Sequence, residues 1–276
     1  MGILQALQRI LNNLGFQTDV NMFFVLFALA VARIVTAVSL SPFLGGTAVP
    51  ARVKMGLSVI LAALLYPSLA AQAAIGDISP LMLVGLLVKE AMIGATIGVV
   101  CQLIFYAVQM AGILIDTQRG MNQIAFFAPQ LPGHTSVLGQ LKFQAALALF
   151  LSLGGHLLFL RALHSSFQQL PLAAFPQFQA GLAGLTEQLI RISAGTLVVA
   201  VQLSAPVLLA LFLVDVAFGA IGKVAPQVHV HNESQPVKAM AGLVIVFLTA
   251  ALLLGRLQTH FVEMIRHISE VLARIA

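Results

Sequence analysis

The chain is a series of long apolar stretches separated by short polar connections. Six stretches are long and apolar enough to cross roughly 30 Å of hydrocarbon as helices: residues 22–40, 55–75, 81–110, 141–160, 192–222 and 239–255. The third and fifth are long for one straight span and indicate tilted, broken or paired helices. The pattern therefore predicts an all-α, membrane-associated protein with about six or more apolar segments.

The positions of the prolines predict where the helices end. Most of them fall between the apolar stretches, where helices stop. Pro67 lies late in the second stretch, where it is expected to shorten the helix. Pro206 lies inside the fifth stretch and should kink or divide it.

Both ends of the chain show amphipathic helical patterns. Residues 1–21 are predicted to form an uncleaved N-terminal helix, because the few charges there do not fit a signal peptide. The last twenty residues place a continuous apolar stripe on one helical face: Leu257, Phe261, Met264, Ile265, Ile268, Leu272 and Ile275. Such a helix is expected to dock on a partner or to lie on a membrane surface.

Composition excludes several classes of protein. The 276 residues are 60% hydrophobic and 8% charged, whereas soluble domains carry about 25% charged residues. The net charge is +5, but the cations are scattered, so a nucleic-acid-binding groove is not predicted. The sequence contains no phosphate-binding loop, nucleophile elbow or zinc-protease motif, so neither an enzyme nor a cofactor site is expected.

The third stretch carries adjacent charges, Lys89 and Glu90. Neighbours in a helix point about 100° apart, so each of the two is expected to need a partner elsewhere. The same geometry places Gly94, Gly98 and Gly112 close to the Glu90 face, where small residues let another helix approach. A buried inter-helix ion pair is the favoured interpretation of Glu90, and a proton-transfer role is the alternative.

Asp215 repeats this arrangement in the fifth stretch, with Gly219 and Gly222 near its face. Arg33, in the first stretch, is a candidate partner for either acid. Three further charges are also expected to be buried in inter-helix contacts: Asp116, Arg119 and Lys223.

Two connections have unusual composition. The connection from Thr117 to Gly139 is rich in proline and glycine yet carries apolar side chains that a water-exposed loop would not favour: Met121, Ile124, Phe126, Phe127, Pro129, Leu131 and Pro132. Non-helical backbone at membrane depth must be buried in protein or line a cavity. The stretch from His229 to Glu233 is interpreted as a polar connector, with a metal site as the weaker alternative.

Five motifs, taken together and in order, resemble one family. They are Val49–Gly56, Lys89–Gly94, Gln109–Gly120, Gly155–Leu158 with Ser166, Phe167 and Pro171, and Asp215–Gly219 with Val224–Gln227 and Pro236–Lys238. Their order and spacing are similar to those of the type III secretion export-gate proteins called FliR in flagella and SctT in injectisomes. The stretch around His229 is more polar here than in that family.

The resemblance implies a subunit of an export gate in the bacterial inner membrane, at the base of a flagellum or injectisome, that passes unfolded proteins. Residues 1–190 would resemble the FliP/SctR subunit, and residues 191–276 would form a helical hairpin resembling FliQ/SctS. Those two subunits, the switch protein FlhB/SctU and membrane lipid would be its partners. The segment with Phe126 and Phe127 would plug the pore.

A small-solute secondary transporter is the competing hypothesis. Its binding site would lie at the bilayer midplane between broken helices, and Glu90 and Asp215 could supply its charges.

Overall fold

The computed structural model describes residues 20–46, 49–70, 79–121, 136–175, 181–225 and 230–275. All regular secondary structure in these ranges is helical, which confirms the all-α prediction. The helices are α1 (Val20–Leu40), α2 (Pro42–Gly45), α3 (Ala51–Ala70), α4 (Pro80–Gln118), α5 (Val137–Ser152), α6 (Gly155–Gln169), α7 (Gly181–Val224) and α8 (Val230–Ile275). The predicted helix over residues 1–21 lies almost wholly outside the described residues.

Five helical stretches within the described residues are long and apolar enough to span a membrane. They are α1, α3, α4, Thr186–Val224 of α7 and Glu233–Ala251 of α8. The pair α5 and α6 would add a sixth span, bent by 72° between the two helices. The pattern predicts about six or more apolar segments, and the described residues contain five or, with this pair, six.

The break between α5 and α6 divides the predicted segment 141–160. Gly154 there has a φ of 73°, a left-handed conformation that glycine adopts without strain. A Cβ on the next residue, Gly155, would collide with the ring of Phe150. Two glycines therefore allow the chain to turn sharply beside a buried aromatic ring.

The predicted division at Pro206 is wrong, because this proline lies inside α7, a single helix of 44 residues. Pro67 lies inside α3, which ends soon afterwards at Ala70. The His229–Glu233 connector is also wrong in part, because α8 begins at Val230 and includes Pro236. Proline in a helix removes one backbone hydrogen bond, which is tolerated where surrounding protein compensates for it. The start of α8 is favoured by Glu233 in its first turn, because a negative charge suits the positive end of the helix dipole.

The described helices contribute to two compact units. The described residues of unit 1 come from the ranges Met1–Gln102, His156–Leu189 and Met264–Ala276, and those of unit 2 come from Leu103–Gly155 and Ile190–Glu263. In unit 2 a core cluster joins α4, α5, α7 and α8 through Ile115, Leu138, Val207, Leu211 and Val246. The division at residues 190 and 191 into two subunit-like parts stays a prediction.

The C-terminal stripe of α8 is not an open docking face. Phe261, in unit 2, is buried against Phe105 and Phe150, with ring centroids 5.7 and 5.1 Å away. Met264, Ile268 and Leu272, in unit 1, are buried as well. The expectation of a partner or membrane surface for this stripe is therefore wrong, because the chain covers it with its own residues.

Candidate functional site

The charged groups of unit 1 form one buried cluster of Arg33, Lys89 and Glu90, called here the Glu90 cluster. Arg33 and Glu90 have no exposed surface, and Arg33 Nε donates to Glu90 Oε2. Arg33 Nη1 and Nη2 donate to the carbonyl oxygens of Ser166 and Leu170, both at 2.8 Å. The guanidinium also lies 4.3 Å from the ring centroid of Phe167. Every polar atom of this arginine is thereby engaged by protein.

Lys89 contacts its neighbour in sequence, which the helical geometry was expected to prevent. Its Nζ lies 2.6 Å from Glu90 Oε1, because a flexible four-carbon side chain can bend across the angle between adjacent positions. The same nitrogen donates to the carbonyl oxygens of Pro171, Leu172 and Ala174 at 3.0, 3.0 and 2.9 Å. These bonds use all three ammonium hydrogens, so Oε1 has an ionic contact but no directed hydrogen bond.

The Glu90 cluster holds two cations and one anion away from water. The excess positive charge faces the carbonyl end of α6 and the turn after it, where unpaired carbonyls and the helix dipole favour cations. One carboxylate and two cations thus join α1, α4 and the end of α6. This arrangement is suited to fixing helices rather than to binding a solute.

Glycines let α1 and α4 approach each other beside this cluster. A Cβ on Gly94 would collide with the Arg33 carbonyl oxygen and Thr36 Oγ1, and one on Gly98 would lie 2.6 Å from Leu40 Cβ. In unit 2, a Cβ on Gly112 would lie 2.5 Å from the backbone nitrogen of Gly139. At all three glycines, a neighbouring element lies where a side chain would stand.

In unit 2, Asp116 is buried at the end of α4 and accepts hydrogen bonds from the start of α5. Ser136 Oγ and the Leu138 backbone nitrogen donate to its Oδ2 at 2.6 and 2.9 Å. Arg119 Nη1 donates to its Oδ1 at 3.0 Å. Ser136 in turn accepts from the Gly139 nitrogen at 2.7 Å. Ser136 is therefore the N-cap of α5, and Asp116 reinforces it with a negative charge.

Arg119 also joins α4 to α8. Its Nε and Nη2 donate to the Ala239 carbonyl oxygen at 3.1 and 2.6 Å. A Cβ on Gly242 would lie 2.6 Å from Arg119 Cδ, so the arginine lies directly against the α8 backbone. The next residue, Gly120, lies against the Gln235 side chain and has a φ of 77°, a backbone conformation that favours glycine.

Asp215 has a different partner and a different environment from Glu90. Lys238 Nζ lies 2.8 Å from its Oδ1, and Gln118 Nε2 donates to its Oδ2 at 3.0 Å. Its side chain remains 34% exposed. Arg33 was a candidate partner for either acid, and in the structure it pairs with Glu90 rather than with Asp215.

The glycines near the face of Asp215, Gly219 and Gly222, do not both have the close neighbour that was predicted. A Cβ on Gly219 would meet no described atom within 4 Å, whereas Gly222 is partly buried. Burial of Lys223 is wrong for the described chain, since this lysine is exposed in the last turn of α7. A cation there suits the negative end of the helix dipole without needing a buried partner.

Sequence reasoning missed Ser136, Gln118 and Lys238 as members of these contacts. Ser136 had a usable signal, because serine directly before an apolar helical run is a typical N-cap. The other two had none, since their partner lies on a distant segment. Of the predicted plug residues, Met121 is described and partly buried. The others lie outside the described residues: Ile124, Phe126, Phe127, Pro129, Leu131 and Pro132.

The comparison with known families agrees with the resemblance of the motifs. The family described as "Bacterial export proteins, family 1" matches residues 24–264, which extend from α1 into α8. The chain belongs to this family. It is thus a component of a type III export apparatus, of the FliR/SctT kind, and its apolar helices fit a membrane location.

The relatives include proteins named for flagellar biosynthesis and a protein named for the translocation of Yop proteins. The chain is 31% identical over 216 residues to "Flagellar biosynthetic protein FliR" of Bacillus subtilis, covering 78% of this chain and 82% of the relative. It is 32% identical over 194 residues to "Yop proteins translocation protein T" of Yersinia pestis, covering 70% and 73%. The match to FliR of Pectobacterium carotovorum extends over 246 residues at 29% identity, covering 88% and 91%.

Proposed function

We propose that this chain is a structural, pore-forming subunit of the type III export gate, which passes unfolded proteins across the bacterial inner membrane. The family match over residues 24–264 carries this proposal, because it includes most of the described helices rather than one motif. The same match favours export over a small-solute transporter.

The surface of the helices supports assembly with other apolar components. In unit 2 large apolar side chains of α7 and α8 are exposed: Leu197, Val201, Leu209, Phe212, Leu213 and Val216 on α7, and Met240, Val244, Phe247 and Leu248 on α8. Exposed apolar surface of this extent is typical of contact with lipid or with protein partners. The proposed partners are FliP/SctR, FliQ/SctS and the switch protein FlhB/SctU.

The segment between α4 and α5 is proposed to close the pore at rest. The support comes from its sequence, which combines Phe126, Phe127 and several other apolar residues with prolines and a glycine. Removing residues 123–132 should therefore raise the resting ion conductance of cells in which the complex still assembles. Unchanged conductance in a fully assembled complex would contradict this part of the proposal.

Co-purification tests the function as a whole. A tagged chain expressed with its neighbouring genes should be isolated with two further hydrophobic proteins and should restore protein secretion to a strain lacking its own FliR/SctT protein. A transporter would instead be isolated alone or as a small symmetric oligomer and would leave secretion unrestored. That second result would overturn the proposed function.

A further inference from the structure

We propose that the Arg119–Asp116 pair couples helix α8 to the start of α5, so that these two parts of unit 2 shift together when the export gate works. The inference rests on the proposed function for its consequence, since an export gate must rearrange to admit a polypeptide. Its structural content concerns described residues only and can be measured without export.

The first half of the link joins α5 to Asp116. One carboxylate oxygen accepts from both Ser136 Oγ and the Leu138 nitrogen, at 2.6 and 2.9 Å. Hydrogen bonds to an ionised group are shorter and roughly twice as strong as neutral ones. Asp116 is 2% exposed, so water scarcely competes for these donors. The first turn of α5 is therefore held by the last turn of α4.

The second half joins Asp116 to α8 through one guanidinium group. Arg119 uses Nη1 for Asp116 and uses Nε and Nη2 for the Ala239 carbonyl oxygen. A guanidinium is planar and rigid, so its three nitrogens cannot adjust independently. A shift of Ala239 must move the guanidinium, and the guanidinium must then pull on the carboxylate that holds α5.

The apolar packing around this link opposes independent movement of α5 and α8. Ile115, Leu138 and Val246, from α4, α5 and α8, belong to one buried apolar cluster. Packed cores have discrete arrangements and deform little in between. Asp215 of α7 pairs with Lys238 of α8, and Gln118 of α4 donates to the same carboxylate, so α7 is attached to the same helical turn of α4.

The spacing of the polar side chains explains how the last turn of α4 contacts three other helices. Successive helical positions differ by about 100°, so Asp116, Gln118 and Arg119 leave the helix in three directions. They contact α5, α7 and α8 respectively. The coupling therefore follows from the spacing of three polar residues within four positions.

A spin label on Val137 tests the coupling, because this first residue of α5 is 73% exposed. The single cysteine, Cys101, is buried, so labelling of Val137→Cys is selective. The label is measured in native membranes that hold the whole chain. Arg119→Gln should shorten its rotational correlation time by about two- to threefold, because the start of α5 loses its polar link to α8.

Lys238→Gln perturbs α8 next to Ala239 and provides the decisive comparison. It should increase the mobility of the label when Arg119 is present and should have a clearly smaller effect in the Arg119→Gln background, since interactions on one route are non-additive. Any remaining effect would pass through the contact of Asp215 with Gln118. Arg256→Gln, at an exposed position of the same helix, is the matched control and should leave the label unchanged.

Equal effects of Lys238→Gln in both backgrounds, or no effect in either, would overturn the coupling. If Arg119→Gln does not accumulate, Arg119→Lys replaces it. That variant keeps the charge beside Asp116 and loses the forked contact with Ala239, so the same pattern is expected at smaller size. Failure of the chain to co-purify with partners would overturn the proposed function alone, because the label does not report on assembly.

Discussion

The Glu90 cluster of unit 1 and the Asp215 pair of unit 2 start from the same sequence pattern and end in different environments. Each acid lies in a long apolar helix with glycines near its face. Glu90 is fully buried between two cations, while Asp215 is partly exposed beside Lys238 and Gln118. A Cβ on Gly94, near Glu90, would collide with α1, whereas a Cβ on Gly219, near Asp215, would meet no described atom within 4 Å. Burial, rather than the pattern, therefore determines how much each acid contributes to stability.

The largest effect is expected for Glu90→Ala. Removing one member of a buried ion pair costs about 3–5 kcal/mol, because the remaining charges stay buried without compensation. Arg33 and Lys89 would both lose their anion here. The assembled protein extracted from membranes should fall to a small fraction of the wild-type amount. Wild-type assembly with loss of export would contradict the structural role and indicate a proton-transfer role.

Asp116→Asn should have the next largest effect, about 1.5–3 kcal/mol, because hydrogen bonds to a charged group are lost at a buried site. The loss should be local to the start of α5, where the Leu138 backbone nitrogen donates to this carboxylate. Amide hydrogen exchange at Leu138, measured by mass spectrometry, should become faster. Ser152→Ala, an exposed serine at the other end of α5, is the control. Equal protection in variant and wild type would contradict the capping role.

Gly94→Ala and Gly219→Ala compare the two glycine seams directly. A methyl group at Gly94 collides with backbone of α1, and such overpacking costs about 1–3 kcal/mol. At Gly219 alanine meets open space and should stabilise the isolated helix by up to about 1 kcal/mol. Thermal denaturation of the purified chain measures both. Equal destabilisation would show that the two seams are alike.

If Gly219→Ala leaves the chain stable but prevents co-purification with other subunits, another protein must approach α7 at this glycine. That result would sharpen the comparison, since the seam of Asp215 would then be completed by a partner and the seam of Glu90 by the chain itself.

The smallest effect is expected for Asp215→Asn. Ion pairs open to water contribute about 0–1 kcal/mol, and the Asp215 side chain is 34% exposed. Its partner Lys238 is buried, but asparagine keeps an oxygen to which this lysine can donate. The contribution should also decrease with salt, because exposed charges are screened and buried ones much less so. Thermal midpoints of Asp215→Asn and wild type should therefore converge at high salt. A loss as large as that of Glu90→Ala at any salt concentration would contradict the comparison.

Helix content was predictable because hydrogen bonding in a helix is local and apolar length is read directly from the sequence. The ends were harder, since proline removes only one hydrogen bond and surrounding protein can compensate for it. α7 therefore passes through Pro206 and α8 through Pro236. The C-terminal stripe illustrates a second limit, because an amphipathic pattern predicts that a face is covered but does not say by what. Here Phe105 and Phe150 help to cover Phe261.

The sequence by itself determined that this protein is helical, apolar and related to bacterial export proteins, and that Glu90 and Asp215 need partners. Only the tertiary structure decided which partners. Arg33 meets Glu90 from 57 residues away and Ser166 from 133 residues away. Such pairs depend on the rotation and position of whole helices, which follow from the packing of all side chains together. A single charged residue in the sequence carries no record of that arrangement.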